Sequence, residues 1–221
     1  MTRQAKRKKA AIHKFGVHLQ FGKFAELATE FQGRRLSPPD VKSAPGKRTG
    51  EILRFVRGLR LSARVIYILR GILSGEDVEV SWGHLLDGDR AYCSRECDII
   101  IHDKGYVDKW NGDQHPVMDF RFIDAEKAHV VVSCKSILTN VDTDYPKEMR
   151  KFGIKHTFLF AECCAKADFK ELHAKAKKAG YAGLGCLYFT SPKAGGFTTD
   201  ETVHADFGKA VCKCLNTCIS K

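Results

Sequence analysis

Three side chains in this 221-residue chain could do chemistry together: Glu51, Asp98 and Lys135. Glu51 opens the helix-like stretch GEILRFVRGLRL. Asp98 heads the apolar run CDIII, and Lys135 stands near the end of HVVVSCKSI. A lysine ammonium is strongly hydrated and is almost never fully buried without a partner, so Lys135 in such a run asks for an anion. Along a strand, residues i and i+2 share a face, so Ser133 and Lys135 point one way and Cys134 the other. Carboxylates beside an ammonium suit phosphodiester hydrolysis. A divalent cation is held by a few carboxylates with water positions left open, while the lysine meets charge on the phosphate or helps orient and deprotonate the attacking water. Each residue also has a plainer account. The helix dipole favours Glu51 in a first turn, by a few tenths to about 1 kcal/mol. Asp98 reads equally as a strand-end acid, and Lys135 as a lysine snorkelling from a strand end.

The stretches GEILRFVRGLR, SRECDIIIHDKG and VVVSCKSIL together resemble the PD-(D/E)XK nuclease superfamily, and within it a small bacterial nuclease-like family. The match runs from Gly50 to about Leu138. The resemblance implies a restriction-endonuclease-like fold and Mg²⁺-dependent cleavage of DNA, with Mn²⁺ as a substitute. It implies Glu51, Asp98 and Lys135 as catalytic residues, with Glu51 and Asp98 as the metal ligands. One position departs from the pattern. Where the family carries Glu or Gln two residues before the lysine, this chain has Ser133, and a hydroxyl is a poorer Mg²⁺ ligand than a carboxylate. Three accounts follow. Glu51 supplies the missing carboxylate, with Ser133 ligating through water; another acid such as Glu96, Asp119 or Asp124 does so; or catalysis is lost and nucleic-acid binding or a role as an interaction subunit is kept.

The elements that must position these groups are legible in outline. Residues 1–45 read as a basic helical arm, with Leu19, Phe24, Leu27 and Phe31 near helical spacing and a break near Gly16 or Gly22. The arm ends in a Pro/Gly-rich linker, QGRRLSPPDVKSAPGKR. Residues 46–221 read as one α/β domain. Its first helix, capped by Thr49, gives way to candidate strands RVIYILRGILS, DVEVSWGHLL and RECDIIIHDKG. VMDFRFI and HVVVSCKSI then read as a hairpin across DAEKA. DYPKEMRKFG follows as a short helix capped by Asp144 or Thr143. After it come the strand KHTFLFAEC, the helix KADFKELHAKAKKAG closed by Gly180, the strand GLGCLYFTS, a turn at AGGFTTDE and a last helix. Strands alternating with helices after an initial meander predict a mixed central sheet flanked by helices.

Charge points to the partner. Residues 1–70 carry 17 Lys and Arg against 4 Asp and Glu; the rest of the chain carries 20 against 22. Such a basic half fits a polyanion, most often nucleic acid, although a solvated basic tail gives the same count. Arg54, Arg57, Arg95 and Lys104 are the candidate nucleic-acid contacts, with Lys155 a further groove candidate. Nine cysteines, an odd number, with no CxxC pair and no signal-peptide pattern, predict free thiols in a reducing, cytoplasmic setting. His84, His102, His115 and His129 are scattered and read as surface or loop residues. No apolar run is long enough for a membrane span. A homodimer is the expected assembly, because cutting two strands takes two sites.

Overall fold

The computed structural model describes residues 23–29, 48–88, 92–108, 120–191 and 196–215, without the side chains of 48–57 and 191. Helix α1 covers residues 23–29, and α2 covers Arg48–Ile72. The strands are β1 (Val78–Asp87), β2 (Tyr92–Cys93), β3 (Cys97–Asp103), β4 (Phe120–Asp124) and β5 (Ala128–Ile137). Then come α3 (Tyr145–Lys151), β6 (His156–Ala165), α4 (Phe169–Ala179), β7 (Gly183–Ser191), β8 (Gly196–Thr198) and α5 (Glu201–Cys214). The eight described strands join one mixed sheet, ordered β2-β1-β3-β5-β6-β7-β8, with β4 against β1. β3 pairs antiparallel with both β1 and β5, whereas the β1–β4, β5–β6 and β6–β7 pairs are parallel.

Helices cover both faces of this sheet. On one face α1, α2 and α5 pack on Val80, Ile99, Ile101, Val130, Val132, Phe158 and Phe160. On the other, α3 and α4 pack on Ile100, Val131, Leu159 and Ala161. The central strands therefore bury alternate residues into two separate layers, which is why their sequences are almost continuously apolar. Gly185 on β7 makes one of these contacts possible. A Cβ there would lie 2.6 Å from the Phe160 ring and 2.8 Å from Phe207.

Three expected elements turn out differently. The segment RVIYILRGILS is not a strand; all but its last two residues complete the 25-residue helix α2. Leu61, Val65, Leu69 and Ile72 recur at helical spacing and are buried, while Arg64, Tyr67 and Arg70 face out. Burying that stripe outweighs the strand preference of the β-branched run. Nor do VMDFRFI and HVVVSCKSI form a hairpin. β4 pairs in parallel with β1, Trp82 opposite Phe120, and β5 inserts between β3 and β6. Burial explains the sorting. β5 is buried without a break from Val130 to Cys134 and needs neighbours on both sides, whereas β4 is half-exposed and sits off the central path. The segment between them is a 3₁₀ turn, Ala125–Lys127. AGGFTTDE also carries more order than a turn, since β8 pairs antiparallel with β7. The Gly180 cap behaves as expected, with a left-handed φ of 100°.

The helical part of the N-terminal segment belongs to the core. Phe24 is fully buried, with its ring centroid 5.5 Å from Phe160 and 6.2 Å from Phe207. The other residues of the expected arm and linker up to residue 47 lie outside the described residues. Phe24→Ala leaves a cavity between α1, α5 and the sheet, and is expected to cost about 3–5 kcal/mol of stability by urea denaturation. A loss below about 1 kcal/mol would mean that α1 is not part of this core.

Candidate functional site

The site forms where β3 and β5 run side by side. Ile99 pairs with Val132 and Ile100 with Val131, so the antiparallel register sets Asp98 opposite Ser133. Strand alternation then puts Asp98, Ser133 and Lys135 on the α3 face, where Ile100 and Val131 also point. Cys134 turns to the opposite face and joins the layer beneath α2. Its thiol meets Ser62 there, and burial pushes its pKa well up, so it stays a neutral core thiol.

A short hydrogen bond fixes the acid: the Cys134 amide donates to Asp98 Oδ2 at 2.7 Å. Burial pushes the Asp98 carboxyl up. The Cys134 amide, the Lys135 ammonium and the Ser133 hydroxyl pull it back, while Glu96 adds to the rise. The net shift is upward, so the fold holds this carboxylate at a cost. Lys135 is the first exposed residue after the buried run of β5. Its ammonium is therefore not buried in the core; it stands at the rim of a cleft of about 260 Å³.

Asp98, Ser133 and Lys135 share this cleft with Gly58, Leu59 and Ser62 of α2, Trp82 of β1, and Arg95, Glu96, Asp142 and Tyr145. Arg95, expected on nucleic acid, makes ion pairs within the protein. Its Nη2 lies 3.1 Å from Asp142 Oδ2 and its Nε 3.1 Å from Glu148 Oε2, and the guanidinium stacks 4.4 Å above the Tyr145 ring. Exposed ion pairs of this kind contribute about 0–1 kcal/mol each, but together they fix the wall of the cleft. Asp142 Oδ1 accepts the amides of Asp144 and Tyr145 at 3.0 and 3.2 Å. Burial pushes Asp142 up, but those amides and Arg95 outweigh it and hold the carboxyl below the usual range. Asp142 thus does the capping expected of Asp144, whose side chain makes no cap bond. The clue lay in DTDYP, where an Asp stands three residues before the first helical residue, within reach of its amide.

The remaining candidates lie as follows. Glu51, Arg54 and Arg57 are in the first part of α2, and their side chains are outside the described residues. Glu51 lies in α2 seven residues before Gly58, about 10 Å along the helix axis from it. Lys104 follows the far end of β3 and borders another cavity, with Arg70, His102 and Arg121. Asp119 and His115 lie outside the described residues, and Asp124 ends β4 away from the cleft. Lys155 is exposed and does not line the cleft. His102 is not a surface residue. It is fully buried in β3, and burial lowers its pKa and keeps the ring neutral.

Among the described residues no group of three or more His, Cys, Asp or Glu gathers as a metal site. The described residues of the cleft nonetheless offer oxygen ligands, from Asp98, Glu96, Ser133, Ser62 and Tyr145, with Asp142 already engaged. That chemistry fits a hard cation such as Mg²⁺, which takes one or two carboxylates and keeps several waters.

The raised Asp98 pKa gives a signed expectation. Because the folded state binds this proton more tightly than the unfolded chain, stability from this group is full below about pH 4 and is lost as pH rises through the folded pKa. Asp98→Asn keeps an acceptor for the Cys134 amide and removes the buried charge. It should match or exceed wild-type stability at pH 8, with the advantage vanishing in acid. Urea denaturation across that range checks it, and a variant markedly weaker at pH 8 would contradict it.

No family model and no curated protein matches the chain. Among solved structures it is similar to NucC of P. aeruginosa ATCC27853 in its cAAA-bound form. The TM-score is 0.55 at 12% identity, covering 91% of this chain and 90% of that one. It is also similar to NucC of E. coli MS115-1 in its cAAA-bound form, with a TM-score of 0.50 at 10% identity over 95% and 90% of the two chains. NucC is a nuclease of the restriction-endonuclease-like fold. The likeness shows that this chain has that fold: a mixed sheet flanked by helices.

Proposed function

We propose that this chain is a metal-dependent DNA endonuclease that hydrolyses phosphodiester bonds at the cleft between β3, β5 and α2. The observation that carries the reading is the convergence of Asp98, Ser133 and Lys135 on one face of adjacent strands at one cleft. The strand-borne acid and lysine of the sequence pattern meet in space, within a fold shared with a nuclease.

In this reading Asp98, held by the Cys134 amide, and Glu51, from the first turns of α2, would hold Mg²⁺ or, in its place, Mn²⁺. The ion would supply charge neutralisation and an activated water. Lys135 sets its ammonium against the negative charge that develops on the phosphate, and Arg95 braces the wall through Asp142 and Glu148. Arg54 and Arg57, on the basic first turns of α2, would meet the DNA backbone, as Lys104 would where a duplex extends past the far end of β3. Cutting both strands calls for two such sites, hence a homodimer. The described cysteines are all free thiols, which suits the cytoplasm, and no described helix is long and apolar enough to cross a membrane.

A second reading, a nuclease-like module that binds nucleic acid without cutting it, is favoured by one feature. Ser133 stands where the family pattern has Glu or Gln, and neighbouring Asp142 has both oxygens engaged. Plasmid digestion separates the two. The endonuclease reading expects cleavage with Mg²⁺, none with EDTA, and a loss of about a hundredfold or more in Lys135→Ala. Salt-sensitive binding without cleavage, with activity appearing in Ser133→Glu, supports the second reading instead. Absence of nucleic-acid binding at low salt sinks both.

A further inference from the structure

Five cations gather where α3 and α4 end. Arg150 and Lys151 form the last turn of α3, and Lys177 and Lys178 the last turn of α4. The two ends meet: Arg150 Nη1 lies 2.5 Å from the place that a Cβ on Gly180, the α4 C-cap, would take. Lys155 follows α3 at the head of β6. All five side chains are exposed. No Asp or Glu occurs between Glu148 and Glu162, nor between Glu171 and Asp200. The acids bordering these stretches are engaged elsewhere. Glu148 pairs with Arg95 at 3.1 Å, Glu171 pairs with Lys175 at 2.7 Å, and the buried Glu162 accepts the Tyr188 hydroxyl at 2.6 Å. Two helix C-termini together offset about one unit charge at most, which leaves most of the five cations without a structural reason to sit together. Position ties them to the cleft. Tyr145, the first residue of α3, lines it, and Arg150 stands five residues on, about 8 Å along the helix. Ala161 pairs with Lys135 in the sheet, and Lys155 is six residues before Ala161, about 20 Å along the strand. The cations therefore run from beside the cleft to the far end of the sheet, the end that Lys104 also occupies, since His102 pairs with Ala128 and Val130 with His156.

We propose that Arg150, Lys151, Lys155, Lys177 and Lys178 form a docking surface for the flank of a DNA duplex whose scissile phosphate lies in the Asp98–Lys135 cleft. The proposal rests on the endonuclease reading of that cleft and adds to it where the substrate's flank sits. Three features select the occupant. Clustered exposed cations attract a polyanion and meet its backbone by charge, without reading bases. Phosphates recur every 3.4 Å along one strand, so a surface reaching about 20 Å from the cleft serves about six base pairs of flank. The aromatic side chains beside these cations, Phe152 and Tyr181, are buried. The surface thus offers charge and no stacking platform, which suits a closed duplex over an unpaired strand.

The test is fluorescence anisotropy on the full chain in EDTA, with a labelled thirty-base-pair duplex over a range of salt. A triple variant carrying Lys151→Ala, Lys177→Ala and Lys178→Ala should bind about tenfold or more weakly than wild type at about 0.1 M salt. The slope of log K against log salt should fall by about 0.9 for each of these lysines that meets a phosphate. Lys175→Ala, on the same helix but paired with Glu171, should leave affinity and slope unchanged. All four lysines are exposed, so the variants should keep wild-type thermal stability, which is measured alongside. Unchanged affinity and slope in the triple variant overturn the proposal. So does a proportionate loss in Lys175→Ala, which would make the effect one of net charge rather than of place. Tighter wild-type binding to an oligo-dT of the same length overturns it as well. The readout does not depend on cleavage. Loss of duplex binding in the triple variant, with no Mg²⁺-dependent cutting by wild type, leaves the surface standing and removes the endonuclease reading. Cutting by wild type with unchanged binding in the triple variant does the reverse.

Discussion

The hydrogen bond from the Cys134 amide to Asp98 is the constraint on which the site depends. It ties the head of β3 to β5 where the buried run of β5 ends. Through it the position of the acid and the direction of Lys135 are set by one backbone register. Displacing β5 by one residue would turn Ser133 and Lys135 into the layer beneath α2 and bring Cys134 out. The apolar alternation of Val130 to Val132 between two helical layers opposes that slip. Core packing and site geometry are therefore the same fact seen at two places along one strand.

The site carries a cost for this arrangement. Asp98 is held at a depth where burial disfavours its charge, and its partners offset that only in part. A bound cation would relieve the penalty, because a divalent charge favours the carboxylate far more than one ammonium does. Raised carboxyl groups in clefts are commonly functional for this reason. The rest of the cleft wall is braced rather than poised. Arg95 pairs with Asp142 and Glu148 and stacks on the Tyr145 ring, which keeps α3 against the end of the sheet.

The sequence made the acid, the lysine and their shared face legible because strand alternation is local and short-range. The mixed sheet between helices was equally legible from the order of its segments. What could not be read was long-range pairing. Nothing local in VMDFRFI says that it joins β1 rather than β5; that choice follows from which strand must be buried on both faces. The Val65–Ile68 stretch misled in the opposite way, because strand-forming residues were placed at helical spacing with Arg64, Tyr67 and Arg70 outward. Asp142 and Trp82 reach the cleft only through the fold, Asp142 from the loop before α3 and Trp82 from β1. His102 was missed because nothing in its immediate neighbours reveals how central β3 is in the sheet.

The central claim is that Asp98 and Lys135 frame a cation site able to receive a phosphodiester. The most direct measurement is anomalous scattering from a crystal soaked in Mn²⁺. The account predicts a peak within ligating distance of the Asp98 carboxylate, on the side facing Lys135 and α2. A soaked crystal with an ordered cleft and no peak there, or with its peak at another group of residues, would contradict it.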